Sequence, residues 1–277
     1  VTAEAYRHPL DQASAWTALH AALDGLDPDN VEDLARRAAR AREIVYTSMP
    51  PAAVEADIRA ALAKLTAEYG DELTVAVRSS ATAEDLPNAS FAGQHDTYLN
   101  IRGEAAVLDA VRHCFASLFT DRAIRYRIDN GFDHFKVFNS VTVMKMARSD
   151  LAASGVIFTI DTETGFENVV FLTGAYGLGE NVVQGAVDPD EFYVFKPTYR
   201  QGKRGVLKRT LGAKKIKMIF ADKGRETTRN IPTDQKEREK YCITDEEALT
   251  LAGHAITIEE HYSAKAGTHR PMDIEWA

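Results

Sequence analysis

The chain has 277 residues, enough for one large domain or two lobes with a sizeable core. Lys and Arg number 33 against 41 Asp and Glu, a formal net charge of -8. The pI is near 5.5 and the mean hydropathy -0.28, a balance that argues against a general nucleic-acid binder or a protein drawn to anionic membranes.

No apolar run approaches the roughly 18 residues that span a bilayer. The first residues, Val1 to Arg7, lack a basic segment followed by an apolar one, so they do not read as a signal peptide. Cys114 and Cys242 are too far apart for a metal-type spacing, and a disulfide scaffold is not expected at this size. A reducing cytoplasm is the default expectation. There is no initiator Met, and the chain stops at Trp276-Ala277 within what reads as a strand. The expectation is a piece of a longer protein, truncated at both ends.

In chain order, residues 1–70 read as helical. Asp11 is placed to cap a helix running to Leu23, which Asp27-Pro28-Asp29 breaks. Asn30 suits the cap of the next, with Glu32 and Asp33 in its first turn. A third begins near Pro51, carries Val54, Ile58, Leu62 and Leu65 on one face, and ends at Gly70. Thr74 to Arg78 and His95 to Ile101 read as strands. Between them lie about 16 residues with only Leu86 and Phe91 as large apolar side chains, a loop length that is usually functional or disordered. Residues 104–130 read as helical and end at Asn130-Gly131. Short strands follow at 141–146, 155–160, 169–173, 192–195, 206–211 and 216–220, then a helix over 245–262 and a last strand. The fold class is α+β. The expected lobes are a helical and α/β one over 1–137, containing the loop 78–97, and a β-rich one over 138–277.

Four features could carry chemistry. Arg78 stands at a strand end before a loop rich in hydroxyls (Ser79, Ser80, Thr82, Ser90, Thr97) with Gly93, a combination suited to a phosphate chain. Asp273 and Glu275, two apart in a strand, project from one face while Met272, Ile274 and Trp276 face the core. Paired carboxylates repel, and a Mg2+ bridging to phosphates would relieve them; an outward-facing charged strand has the same pattern. Gly174 to Gly185 is glycine-rich but matches neither G-x-G-x-x-G nor the P-loop, and a tight turn competes with a ligand-facing role. The basic residues Lys203, Arg204, Lys208, Arg209, Lys214, Lys215 and Lys217 read best as solvated faces of a hairpin. His95 lies where it could meet a ligand, but none of the eight histidines stands in a hydrolase or metal arrangement.

Several words along the chain together resemble the N-terminal ATP-binding domain of the phosphoenolpyruvate-utilising dikinase family, and within it the phosphoenolpyruvate synthases (pyruvate, water dikinases). They are Val77-Arg-Ser-Ser-Ala-Thr-Ala-Glu-Asp85, Ala89-Ser-Phe-Ala-Gly-Gln94, Phe115-Ala-Ser-Leu-Phe119 with Asp121-Arg-Ala-Ile124, Ser149-Asp-Leu-Ala152, Tyr176-Gly-Leu-Gly-Glu180, Val182-Val-Gln-Gly-Ala-Val187, Asp188-Pro-Asp-Glu-Phe-Tyr193, Lys214-Lys-Ile216 and Arg270-Pro-Met-Asp-Ile-Glu-Trp276. The first two are shared with pyruvate phosphate dikinases and rifampin phosphotransferases. The words around 184–193 and Lys214 are more particular to the synthases.

The resemblance implies an ATP-grasp fold of two lobes that clamp ATP. It also implies transfer of the β-phosphate, through a pyrophosphoryl intermediate, to a histidine on a swivelling domain and then to pyruvate on a barrel domain. Neither of these further domains is in this sequence, nor is the lysine-bearing glycine-rich segment that normally comes first, so the chain alone is not expected to complete the reaction. By the same resemblance, Arg78 and Arg122 are the phosphate-side arginines. Ser90, Gly93, Gln94 and Thr97 belong to the lid over the phosphates. Lys145, Met146 and Ala147 lie beside adenine, Glu180 and Gln184 near the nucleoside, and Asp273 and Glu275 hold Mg2+. The family usually has Gln where Met144 stands. Two alternatives stay open: a rifampin-phosphotransferase-like domain with another acceptor, and a nucleotide-binding module without catalysis. Neither nucleic acid nor membrane is an expected partner.

Overall fold

A computed structural model describes residues 1–12, 14–82, 85–86, 89–90, 95–203, 205–221 and 227–277. The chain divides into Val1–Met146 and Ala147–Ala277, both mixtures of helix and sheet. The α+β class is therefore what the structure has. Among the described residues no helix is long and apolar enough to cross a membrane.

The first unit opens with α1 (Ala3–Gln12), α2 (Ala15–Leu23), α3 (Val31–Ser48) and α4 (Ala52–Tyr69). Asn30 caps α3 as expected, its side chain accepting from the Asp33 N–H at 3.0 Å. Asp11 does not cap a helix. It lies inside α1 and accepts from Trp16 Nε1 at 2.5 Å, and Ser14, with φ 54°, starts α2. Leu34, Ala38, Ala41 and Val45 recur at helical spacing on α3 and are buried. Next come β1 (Val75–Ala81), the two-residue strands β2 (Asp85–Leu86) and β3 (Ala89–Ser90), β4 (Thr97–Ile101), α5 (Glu104–Ala116), a 3-10 turn at Ser117–Phe119, α6 (Asp121–Asp129) and β5 (Asn139–Lys145). The expected helix over 104–130 is thus broken, and Thr120 caps its second half by accepting from the Ala123 N–H.

β1 is the centre of an antiparallel sheet in the order β4-β1-β5. That pairing puts 139–145 in the first unit, so the division falls after Met146 rather than at 137. Behind the sheet, Arg127 is fully buried. It donates from Nε to His134 Nδ1 at 2.9 Å and stacks on Phe119, and burial pushes its guanidinium down to about 10.

The second unit has a 3-10 turn at Ser149–Leu151, then β6 (Ala153–Phe158), β7 (Val169–Tyr176), α7 (Glu180–Val183), β8 (Asp190–Phe195), α8 (Lys196–Arg200), β9 (Val206–Thr210), β10 (Ile216–Phe220), β11 (Thr228–Pro232), α9 (Gln235–Arg238), α10 (Asp245–Ala266) and β12 (Asp273–Trp276). Five strands make an antiparallel sheet in the order β12-β6-β7-β8-β9, and β10 pairs with β11. Ile157, Leu172 and Phe192, opposite one another on neighbouring strands, face α10. The helix answers with the small residues Ala248, Ala252 and Ala255, which let it lie close on the sheet. A capping box of Thr244 and Glu247 starts it, and Gly267, with φ 70°, ends it.

Most described cations of the basic stretch are exposed as expected, but not all. Lys214 is fully buried, ion-paired with the equally buried Asp190, which also accepts from the Gly212 and Cys242 N–H groups. Lys217 bonds both oxygens of Glu237, and Arg209 pairs with Asp245. Lys214 alone of this stretch is buried, and it goes inward because a carboxylate from another element meets it.

Two predictions follow from these cores. Lys214→Met leaves Asp190 buried without its cation and should cost about 3–5 kcal/mol. Urea unfolding followed by Trp276 fluorescence, in a Trp16→Phe background, measures it; an unchanged midpoint would contradict the pairing. Burial, aided by the Arg127 charge, holds His95 and His134 down to about 4. The unfolded chain, with histidines near 6.5, binds protons that the folded unit refuses. Stability is therefore full above about pH 6.5 and falls as pH drops toward 4. His134→Gln keeps an acceptor for Arg127, and its melting temperature should fall less between pH 7 and pH 5 than that of the unsubstituted chain. An equal fall would refute this assignment.

Candidate nucleotide site

In the first unit, the register of β1 assembles the site. Arg78 is opposite Thr97 on β4 and Thr142 on β5. Directly opposed residues of antiparallel strands share a face, and all three are exposed. Val77, the previous residue, is fully buried on the other face. The side chain of Arg78 is thus held outward by the valine alternation that makes the strand. Arg122 joins the row through its neighbour: from α6 its Nη2 donates to Asp96 Oδ1 at 2.7 Å, and Asp96 directly precedes Thr97. The two arginines expected to act together are therefore brought to one sheet end. Asp96 and Thr142 were missed in the sequence. An Asp beside a strand start and a Thr at an alternating position were the available signals, but the cross-strand register that makes them matter was not legible.

The lid residues are only partly within view. Ser90 lies in β3, paired opposite Asp85, with its side chain outside the described residues. Gly93 and Gln94 lie outside the described residues. At the far end of β5, the Lys145 ammonium sits 4.1 Å from the centre of the Tyr69 ring. Met144 is half-exposed, whereas Met146 is buried and its N–H donates to the Thr74 carbonyl at 2.9 Å. Ala147, exposed, begins the second unit.

In the second unit, β12 alternates as expected: Asp273 and Glu275 point outward, and Ile274 and Trp276 pack on the core. Trp276 is fixed by an Nε1 bond to the Thr173 carbonyl at 3.2 Å, and Gly174 leaves the room for it, since an added Cβ would lie 2.8 Å from the indole. Burial and the Glu275 charge raise the Asp273 carboxyl above its ordinary value. The exposed face continues across the sheet from Asp273 through Phe158, Phe171 and Tyr193, register partners whose rings stack, to Lys208 over Tyr193.

Oxygen donors of this kind suit a hard divalent cation. Among the described residues no group of three or more His, Cys, Asp or Glu could hold a metal. Two carboxylates alone fit Mg2+, which completes its shell with water and phosphate oxygens.

Glu180 and Gln184 face each other across the single turn of α7, with Gln184 Nε2 donating to Glu180 Oε1 at 2.9 Å. That turn is held by its surroundings. Gly177 has φ 90°, and an added Cβ would lie 2.9 Å from the Met218 nitrogen, so only glycine fits beside β10. Ser154 Oγ donates to the Gly177 carbonyl at 2.6 Å, and Asn181 Nδ2 to Asn230 Oδ1 at 2.7 Å.

The family model described as "Pyruvate phosphate dikinase, AMP/ATP-binding domain" matches residues 1–277. The chain is 52% identical over 281 residues to a phosphoenolpyruvate synthase of Synechocystis sp., covering 100% of this chain and 34% of that protein. It is 50% identical over 281 residues to the phosphoenolpyruvate synthase of Escherichia coli (strain K12), again 100% of this chain and 34% of that protein. A probable phosphoenolpyruvate synthase of Methanocaldococcus jannaschii is 40% identical over 278 residues, 100% of this chain and 22% of that one. The chain thus spans about a third or less of the length of these curated relatives.

Proposed function

Because the chain belongs to the family of pyruvate phosphate dikinase AMP/ATP-binding domains, we propose that it is the ATP-binding part of a phosphoenolpyruvate synthase. The match along the whole chain carries this reading, and the exposed carboxylate pair on β12 supports it. In this proposal the chain has an ATP-grasp fold. Arg78 and Arg122 bind phosphate oxygens, with Thr97 and the segment containing Ser90, Gly93 and Gln94 covering them. Lys145, Met146 and Ala147 run beside the adenine, and Glu180 and Gln184 bond the nucleoside. Asp273 and Glu275 hold Mg2+, which neutralises phosphate charge when bound.

Phosphoryl transfer asks little covalent chemistry of a protein; positioning and charge stabilisation dominate. Arg78 presents a planar fork fixed by strand register, suited to two phosphate oxygens at once. Arg122 reaches phosphate by exchanging or sharing its bond to Asp96, which holds it ready in the meantime. No nucleophile is required here. His95, His134 and His269 are engaged with Ser117, Arg127 and Glu259. The histidine that accepts the β-phosphate, and the barrel that passes it to pyruvate to give phosphoenolpyruvate, AMP and phosphate, belong in this proposal to the rest of a longer protein.

Titration calorimetry with ATP and Mg2+ tests the assignment. Arg78→Ala and Glu275→Ala should each weaken binding by about tenfold or more, as expected for loss of a charge-assisted contact. Equal affinity in all three chains would reject the site, and no heat of binding with the unsubstituted chain would reject nucleotide binding by these 277 residues.

A further inference from the structure

Among the described residues β12 is the terminal strand of its sheet, paired with β6 over four residues. It carries two outward carboxylates that repel. Something must hold it in place, and the lead-in to the strand shows what does. The Met272 N–H donates to Thr159 Oγ1 at 2.8 Å, and the Thr159 N–H returns a bond to the Met272 carbonyl at 3.0 Å. Thr159 is itself clamped: Lys196 Nζ donates to its carbonyl at 2.6 Å and to both oxygens of Glu259 at 2.7 Å. Lys196 and Glu259 are buried, their side chains 2% and 5% exposed. His269 closes the joint, its Nε2 3.1 Å from Glu259 Oε1 and its Nδ1 3.4 Å from Glu167.

One network therefore ties the end of β6, the start of α8, the C-terminal half of α10 and the loop entering β12. A buried ion pair is weak evidence for net stability, and its best-attested use is to specify register. Here the register it specifies is that of the strand bearing Asp273, one residue beyond Met272.

We infer that His269 is a positioning residue: through Glu259, Lys196 and Thr159 it fixes the presentation of Asp273 and Glu275 to a divalent cation. The inference rests on the reading that these two carboxylates hold the metal. His269 is the member to test, because it is 37% exposed and its removal leaves the buried Lys196–Glu259 pair intact.

The test uses the 277-residue chain with Mn2+ as probe. Electron paramagnetic resonance reports Mn2+ bound in the presence of ATP, and equilibrium dialysis reports ATP bound in EDTA. Groups that orient metal ligands typically contribute 10–100-fold to metal affinity. His269→Ala should weaken Mn2+ binding about tenfold while metal-free ATP binding changes less than about twofold. His269→Gln, whose amide can still donate to Glu259, should recover most of the loss. Asp273→Asn is the control. If it weakens Mn2+ binding and His269→Ala does not, the positioning role is overturned and the metal site stands. A uniform loss of metal-bound and metal-free ATP binding in His269→Ala, or no recovery in His269→Gln, overturns it as well. If Asp273→Asn leaves Mn2+ binding unchanged, or the unsubstituted chain binds none, both readings fall.

Discussion

Two like charges on one face of a sheet-edge strand are the constraint around which the second unit is organised. Burial and the Glu275 charge raise the Asp273 carboxyl above its ordinary value, and among the described residues the strand that carries them pairs with β6. The compensations come from behind. Ile274 and Trp276 bury themselves against the sheet and α10, Gly174 makes room for the indole, and Thr159 holds the backbone of Met272 just before the strand. Packing on one face is thus what allows repulsion to persist on the other.

The first unit solves the opposite problem. Its arginines are attractive to phosphate but would be costly if loose, since a long side chain loses rotamer freedom on binding. Arg78 is held by the alternation of β1 between two partner strands, and Arg122 by Asp96. Elsewhere cations are taken inside, Lys196 and Lys214 against carboxylates and Arg127 against an imidazole and a ring. The charges left exposed and outward include those assigned to the nucleotide.

The periodic features were legible. The α3 cap, the helix over 245–262, the alternation in β12 and the α+β class all follow from local pattern, because a period of 3.6 or 2 is written in adjacent residues. What needed long-range geometry was not. Asp11 has the residue type of a cap, yet α1 runs through it to Gln12 and α2 starts after Ser14. The strand at 139–145 reads like its successors, yet it pairs backward with β1. Lys214 lies in a basic run that looks solvated until Asp190, 24 residues away, meets it. His269 and Glu259 are ordinary polar residues in sequence, and only their meeting with Lys196 gives them a role. Of the candidate site, Arg78 and the two carboxylates were singled out by residue type and alternation and Arg122 by resemblance, whereas their supports were not legible.

In the proposed function β12 carries the metal of a bound nucleotide. The most direct measurement is paramagnetic line broadening by Mn2+ and ATP in the 15N-labelled chain. The account predicts that amides of 272–277 and of their register partners at 155–158 broaden first, and that omitting ATP weakens the effect because two carboxylates do not complete a metal shell. Broadening centred on other strands, with β12 unaffected, would contradict it.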